Sequence, residues 1–210
     1  MSLIENFFNI KKQIEILNSH TKLIVVSKGQ TVENILSLIK IGHNDFGENR
    51  VQEAVSKWSQ LILNHKNINL HFIGKLQSNK AKEVYKLFNY IHSLDNEKLA
   101  SNFSKLEFNN EKKLKYFIQV NIGSEAQKSG IDETQVTKFY LYCKNELKIN
   151  IIGLMCIPPV DLPSDNFFTK LKKLANANNL KDLSMGMSGD FQIAIKYGST
   201  FVRIGSAIFK

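Results

Sequence analysis

The chain has 210 residues, enough for one large domain or two small ones, and its 43% hydrophobic and 22% charged residues suit a globule with a sizeable core. Its 3 prolines and 11 glycines exclude a collagen-like repeat or a disordered linker protein, and no apolar run reaches the roughly 20 residues needed to cross a bilayer. The 28 Lys and Arg against 19 Asp and Glu give a formal charge of +9, which admits an anionic ligand.

In chain order, Leu3, Phe7, Ile10, Ile14 and Leu17 fall on one face of a predicted helix from Leu3 to Asn18. LIVVSK (Leu23–Lys28) is a continuous apolar run ending in a lysine, as expected of a strand buried on both faces. Thr31 is a plausible N-cap for the next helix, which Gly42 closes. A short strand, Asp45–Asn49, precedes the helix VQEAVSKWSQLIL. Leu70–Gly74 reads as the third strand, with a helix from Ser78 to Phe88. Tyr90–Leu94 is the fourth, followed by a helix from Asp95 to about Phe108, and Tyr116–Ile122 is the fifth. Asp132 caps a helix running to about Leu147. Ile151–Ile157 is the sixth strand, stopped by Pro158 and Pro159, with a helix over Ser164–Ala177. Leu183–Met187 and Phe201–Phe209 are the seventh and eighth, separated by a helix from Asp190 to Tyr197.

Strand-like runs alternating with helices imply parallel strands joined by crossovers. Eight such units predict an α/β protein with one (β/α)8 TIM barrel over residues 1–210 and an extra N-terminal helix. The eighth strand is expected to lack a trailing helix, and the N-terminal helix to close the outer ring in its place. An open doubly wound sheet is the lesser alternative, because the dinucleotide glycine fingerprint is missing.

Barrels of this kind gather their functional groups at the C-terminal ends of the strands, with a phosphate site often after strands seven and eight. That rule selects Lys28 and Asn49, then Gly74, Lys75, Gln77 and Ser78, then Met187, Ser188 and Gly189, then Arg203, Gly205 and Ser206. At the mouth of an apolar strand Lys28 would be partly desolvated, which disfavours the ammonium and leaves an amine able to attack an aldehyde. The plainer alternative is a lysine that snorkels to water. SMGMSGD (Ser184–Asp190) and RIGS (Arg203–Ser206) supply glycines whose amides can approach an anion, serine hydroxyls, and a helix start after Gly189. Two tight turns without a ligand would need the same glycines.

A Schiff-base lysine facing a phosphate cradle fits pyridoxal 5′-phosphate (PLP), and it also fits an aldolase acting on a sugar phosphate. Arg203 against the pyridine nitrogen of PLP would donate a hydrogen bond and keep that nitrogen unprotonated, making the ring a poor electron sink. As a salt-bridge partner it would do neither. His20, His43, His65, His71 and His92 show no metal spacing and are expected to be surface or hydrogen-bonded residues, with His71, inside the third strand, expected to point inward. Glu48 and Glu53 do not form an evident acid–base pair. MSLIENFFNIKK lacks the features of a secretory signal, and Cys143 and Cys156 are too few for a disulfide framework, so a cytoplasmic location is expected. With only Arg50 and Arg203 as arginines and lysines scattered over polar helix faces, no nucleic-acid partner is expected, and no membrane partner either.

Taken together, LIVVSK, FGENRVQEA (Phe46–Ala54), HFIGKLQSNK (His71–Lys80), IGLMCIPP (Ile152–Pro159), LSMGMSGD and TFVRIGSAIF resemble the pyridoxal phosphate homeostasis protein family, in the family's order, from about Leu23 to Phe209. The resemblance implies a barrel similar to the N-terminal part of alanine racemase, holding PLP as a Schiff base. It assigns Lys28 as the Schiff-base lysine, Asn49 as a neighbour of the ring hydroxyl, Ser188, Gly205 and Ser206 as phosphate ligands, and Arg203 as the pyridine-nitrogen partner. Gly29-Gln30-Thr31 follows Lys28 where many members have Thr-Lys-Pro, so a second nearby lysine is absent there, and Ser206 replaces a frequent Thr.

The resemblance further implies a carrier or buffer of PLP rather than an enzyme, with PLP-dependent apoenzymes as recipients and a monomer or weak dimer as the assembly. A PLP-dependent amino-acid racemase is the alternative. Racemases of similar fold draw a second acid–base residue from an additional C-terminal domain, and no chain is expected after the eighth strand to build one.

Overall fold

The computed structural model describes residues 2–125, 127 and 129–210. Its eight strands are β1 (Lys22–Val26), β2 (Asp45–Glu48), β3 (Asn69–Phe72), β4 (Tyr90–Leu94), β5 (Lys115–Gln119), β6 (Ile151–Met155), β7 (Asp182–Ser184) and β8 (Phe201–Ile204). All pair in parallel, in sequence order, and close into a barrel. The closing seam pairs Lys22, Leu23, Ile24 and Val25 of β1 with Phe201, Val202, Arg203 and Ile204 of β8. The predicted TIM barrel is therefore the fold.

The helices are α1 (Leu3–Leu17), α2 (Val32–Lys40), α3 (Val51–Asn64), α4 (Ala81–Leu87), α5 (Glu97–Phe108), α6 (Val136–Leu141), α7 (Asp165–Ala177), α8 (Phe191–Lys196) and α9 (Ser206–Phe209). Ser2 starts α1 with a capping box: its hydroxyl accepts the Glu5 amide while the Glu5 carboxylate accepts the Ser2 amide. Thr31 caps α2 as expected, its hydroxyl accepting the Asn34 amide. Two predicted helices are composite. A 3₁₀ turn, Ser78–Lys80, leads into α4, and α6 is framed by a 3₁₀ turn (Glu133–Gln135) and a π-helical segment (Tyr142–Glu146). No helix among the described residues is long and apolar enough to cross a membrane.

One expectation at the C-terminus is overturned. The run Phe201–Phe209 is not a single strand: β8 stops at Ile204, Gly205 breaks the extended backbone, and α9 follows. The eighth strand thus has a short trailing helix. The N-terminal helix still completes the outer ring, packing on α2, α8 and α9, and Asn6 donates to the carbonyls of Ile208 and Lys210. Buried Phe7, Ile10 and Ile14 are the face α1 turns inward.

Most predicted strands run one to three residues too far at their C-terminal ends, because the apolar and glycine residues that leave the sheet go on to line the barrel mouth. The large core lies between the sheet and the helices. A second, inner core fills the barrel with Ile24, Tyr90, Phe117, Met155 and Phe201, so the barrel is packed rather than hollow and ligands are confined to its mouth. At Gly153 an added Cβ would lie 2.0 Å from the Asp182 carbonyl oxygen, so β6 and β7 approach each other in a way only glycine allows.

Candidate functional site at the barrel mouth

The C-terminal ends of the strands open on a cavity of about 700 Å³. Lys28, Asn49, Ser188, Arg203, Gly205 and Ser206 all line it, as do Gly74, Lys75, Met187 and Gly189. Gln77 and Ser78 do not: they turn away into the 3₁₀ segment, where the Ser78 carbonyl accepts a bond from Asn102. Gln119 and Asn121, past or at the end of β5, complete the opposite wall without having been singled out in the sequence.

Lys28 stands on the rim, two residues beyond the end of β1, and its side chain is exposed. The expected partial desolvation is therefore not provided by the strand, which releases the chain at Val26 before the lysine is reached. What the fold does provide is a fixed turn. Ser27 is fully buried and donates its hydroxyl to Glu48 Oε1 at 2.7 Å. Lys57, from α3, donates to the Ser27 carbonyl at 2.7 Å and pairs with Glu48 at 2.7 Å and Glu53 at 2.8 Å. Glu53 also accepts the Gly29 amide, and Trp58 Nε1 donates to Glu48. Partial burial pushes the Glu53 carboxyl up, but the bonds from Lys57 and Gly29 and the charges of Lys57 and Arg50 outweigh it and hold the group below its ordinary range. Glu48 and Glu53 are thus not an acid–base pair, as the sequence suggests; they clamp the turn that presents Lys28. The Glu53–Lys57 spacing is a visible helical pair, whereas nothing in the sequence ties Glu48 or Lys57 to Ser27.

Asn49 follows β2, and its Oδ1 is buried with no hydrogen-bond partner. Gly74 presses on it so closely that a Cβ there would sit 2.2 Å from the Asn49 carbonyl oxygen. A buried amide oxygen without a donor is costly, and this one borders the cavity.

Beside the end of β1, where β8 closes the barrel, the turns after β7 and β8 are joined. Ser188 Oγ accepts the Ala207 amide at 3.3 Å, and the Arg203 amide donates to the Gly186 carbonyl at 3.0 Å. Asp190 folds the first turn back on itself by accepting the Met187 amide at 2.6 Å. A Cβ added at Gly189 would meet nothing within 4 Å, and Ser206 is exposed at the first position of α9, where its amide has no partner within the helix. The helix expected to begin after Gly189 begins at Phe191 and has only six residues, with an aspartate at its cap. Its dipole is therefore weak, and the donors these two turns offer are hydroxyls and loop amides.

Arg203, on β8, lines the cavity and is 4% exposed. Its Nη1 donates to Ser184 Oγ at 2.6 Å and its Nη2 to the Cys156 carbonyl at 2.9 Å. Neither partner is a carboxylate, so the salt-bridge alternative is not what holds it. Burial pulls the guanidinium below its usual range, opposed by Cys156 and Asp190. Among the histidines, His71 points into the barrel as expected. His92 does so too: of the surface and hydrogen-bonded placements the sequence allows, it takes the second, fully buried in the middle of β4. Both cysteines are buried free thiols, each pushed up to about 12 by burial.

Residues 3–210 match the alanine racemase N-terminal domain family. The pyridoxal phosphate homeostasis protein of Vibrio cholerae serotype O1 is 40% identical over 225 aligned residues, spanning 99% of this chain and 95% of that one. PipY of Synechococcus elongatus, solved with PLP bound, superposes with a TM-score of 0.83 at 30% identity, covering 96% of this chain and all of PipY. An alanine racemase of Clostridium difficile shares the fold alone, at 12% identity and a TM-score of 0.76 over 99% of this chain and 56% of its own. With a family match over nearly every residue and a relative at 40% identity end to end, the chain belongs to the pyridoxal phosphate homeostasis protein family, on the alanine racemase N-terminal-domain barrel.

Proposed function

We propose that this chain binds PLP at the barrel mouth and acts in PLP homeostasis as a carrier or buffer, without catalytic turnover of its own. The observation that carries the reading is Arg203: a buried guanidinium, bonded to a hydroxyl and a carbonyl, in the wall of a cavity that Lys28, Ser188 and Ser206 also line. The residues present fit the cofactor. Asn49 Oδ1 lacks a donor and would take one from the ring hydroxyl, and Arg203 would donate to the ring nitrogen. Ser188, Ser206 and the backbone at Gly205 would hold the phosphate.

Lys28 would hold the cofactor covalently through Nζ, as a Schiff base with its aldehyde. PLP supplies an electron sink when its ring nitrogen is protonated. Arg203 keeps its own proton and can only donate, which holds that nitrogen unprotonated and works against carbanion chemistry. Besides Lys28, the lining offers Gln119 and Asn121, whose amides exchange no proton near neutral pH, and one further amine, Lys75. The ring-nitrogen partner favours storage and delivery over racemisation. PLP-dependent apoenzymes in the cytoplasm are the recipients this reading expects.

The test is a visible spectrum of the purified protein after incubation with PLP, followed by borohydride reduction and peptide mapping. The expected result is a chromophore mapped to Lys28 and lost in Lys28→Ala, with no α-proton washout from amino acids. Washout abolished by the same substitution would establish the racemase instead. Trapping of a sugar phosphate with no chromophore would establish the aldolase.

A further inference from the structure

The inside of the barrel holds a row of polar groups that cofactor binding does not explain. Asp45 begins β2, at the end of the barrel away from the cavity, and its side chain is 23% exposed. Asp45 Oδ1 lies 3.1 Å from His71 Nε2, and His71 Nδ1 lies 2.9 Å from His92 Nε2. His92 Nδ1 lies 2.8 Å from Ser184 Oγ, which lies 2.6 Å from Arg203 Nη1. His71, His92 and Ser184 are fully buried. Five residues from β2, β3, β4, β7 and β8 thus link the far end of the barrel to the wall of the cavity.

The two ends fix the direction of every bond. A guanidinium only donates, so Ser184 Oγ accepts from Arg203; with both imidazoles neutral and the Asp45 carboxylate accepting from His71 Nε2, the chain of bonds requires the Ser184 hydrogen to go to His92 Nδ1. His92 must then carry its proton on Nε2 and give it to His71 Nδ1. His71 in turn carries its proton on Nε2, facing the Asp45 carboxylate, which only accepts. Both imidazoles are neutral in this arrangement. Burial favours that state by pulling both below the ordinary histidine range, for His71 against the opposing pull of Asp45 and for His92 aided by the Arg203 charge and by the repulsion a protonated His71 would exert. Aromatic rings hold the imidazoles in plane: Tyr90 stacks on His71 at 4.2 Å and Phe117 on His92 at 4.3 Å.

We propose that this one-directional wire makes Ser184 and His92 positioning residues for Arg203, fixing the guanidinium for its contact with the cofactor ring while His71 and Asp45 anchor the far end. The inference rests on the reading of the site given above. A hydroxyl whose hydrogen is committed to His92 keeps its lone pairs turned to Arg203. With Nη2 held by the Cys156 carbonyl, the guanidinium plane is set from two sides, and its remaining N–H groups are left for the cavity.

The full-length protein tests this directly. Ring ¹⁵N–¹H correlation spectra should show His71 and His92 neutral and protonated on Nε2 around neutral pH. Ser184→Ala should shift the His92 ring nitrogens, alter the absorption of the bound cofactor and weaken its binding by about tenfold, the scale of one charge-assisted hydrogen bond. Ser184→Thr, which keeps the hydroxyl, should restore all three. His92→Gln preserves an acceptor and a donor, whereas His92→Phe preserves only the ring on Phe117. A positioning role predicts a near-wild-type cofactor spectrum for Gln and an altered one for Phe, and a packing role predicts the reverse.

A proton on Nδ1 of either ring overturns the proposal, as does a folded Ser184→Ala with wild-type cofactor spectrum and affinity. Should His92→Phe fail to fold, the Ser184 pair decides. A wild-type protein that takes up no PLP overturns the reading of the site instead, and the ring-nitrogen spectra of the cofactor-free protein then decide the direction of the wire alone.

Discussion

Ser188 Oγ accepts the amide of Ala207 at 3.3 Å, and this bond ties the turn after β7 to the turn after β8. The proposed phosphate cradle is thus one unit whose halves follow different strands. Ser188→Ala removes both the tie and a hydroxyl donor. We expect at least a tenfold loss of PLP affinity, with a stability cost of only about 1 kcal/mol, the usual net value of one hydrogen bond. Fluorescence titration with PLP beside urea denaturation separates the two. Equal losses in Ser188→Ala and at a remote surface serine would show that the cradle is misplaced.

The turn before Lys28 depends on a buried charge pair. Glu48 is fully buried, and Lys57 is 10% exposed at the side chain, 2.7 Å away. Removing one partner leaves the other buried without its counter-charge, so Lys57→Met alone should cost about 3–5 kcal/mol. Removing both is milder, so the double variant with Glu48→Leu should be more stable than Lys57→Met alone. Urea midpoints for the two singles and the double decide it. Additive losses would mean that the pair is not coupled. The double variant should still load PLP more slowly, since Ser27 then loses two of the bonds that fix the turn.

Gly74 and Gly189 form a matched pair at the rim. A Cβ at Gly74 meets the backbone of Asn49 at 2.2 Å, whereas one at Gly189 meets nothing within 4 Å. Gly74→Ala should displace Asn49 and cost about 1–3 kcal/mol, as overpacking against immovable atoms does. Gly189→Ala should leave the melting temperature at the wild-type value. If calorimetry ranks them the other way, the contact between the ends of β2 and β3 is not as close as described.

Much of this was legible in the sequence, for reasons that also explain the rest. Strands buried on both faces read as apolar runs, so LIVV, YFIQV and IIGLM announce themselves, and the barrel rule then places Lys28, Asn49, Ser188, Arg203, Gly205 and Ser206 at one mouth. The strand ends were overrun because the mouth is lined by the same residue types as the strands. His92 was readable in principle: it stands two residues from Tyr90 on the same strand and so shares its inward face. The clamp of Glu48 and Lys57 on Ser27 was not readable, because it joins residues 21 to 30 positions apart through a tertiary contact. Lys28 shows the opposite error, where an apolar strand suggested burial that the turn after Val26 undoes.

Acid should destabilise the protein through its histidines, and the sign follows from their surroundings. His43 is lowered to about 4, first by burial, although its bond to the Asp45 carbonyl and the Asp45 charge oppose this. His71 and His92 are also lowered, chiefly by burial. In the unfolded chain all three titrate near the ordinary value of about 6.5. Below that pH the unfolded state binds more protons than the folded one, so stability is full above about pH 6.5 and falls as the pH drops, for His43 down to about 4. Each group steepens the slope by up to about 1.4 kcal/mol per pH unit. His43→Gln keeps a donor for the Asp45 carbonyl but cannot titrate, so it should flatten the decline by one proton's worth across this window. Urea denaturation of the cofactor-free protein between pH 8 and pH 4 measures it, free of the linkage that bound PLP would add. A wild-type curve that stays level from pH 7 to pH 5 would mean that the imidazoles are charged in the fold, which contradicts both their burial and the direction of the wire they form.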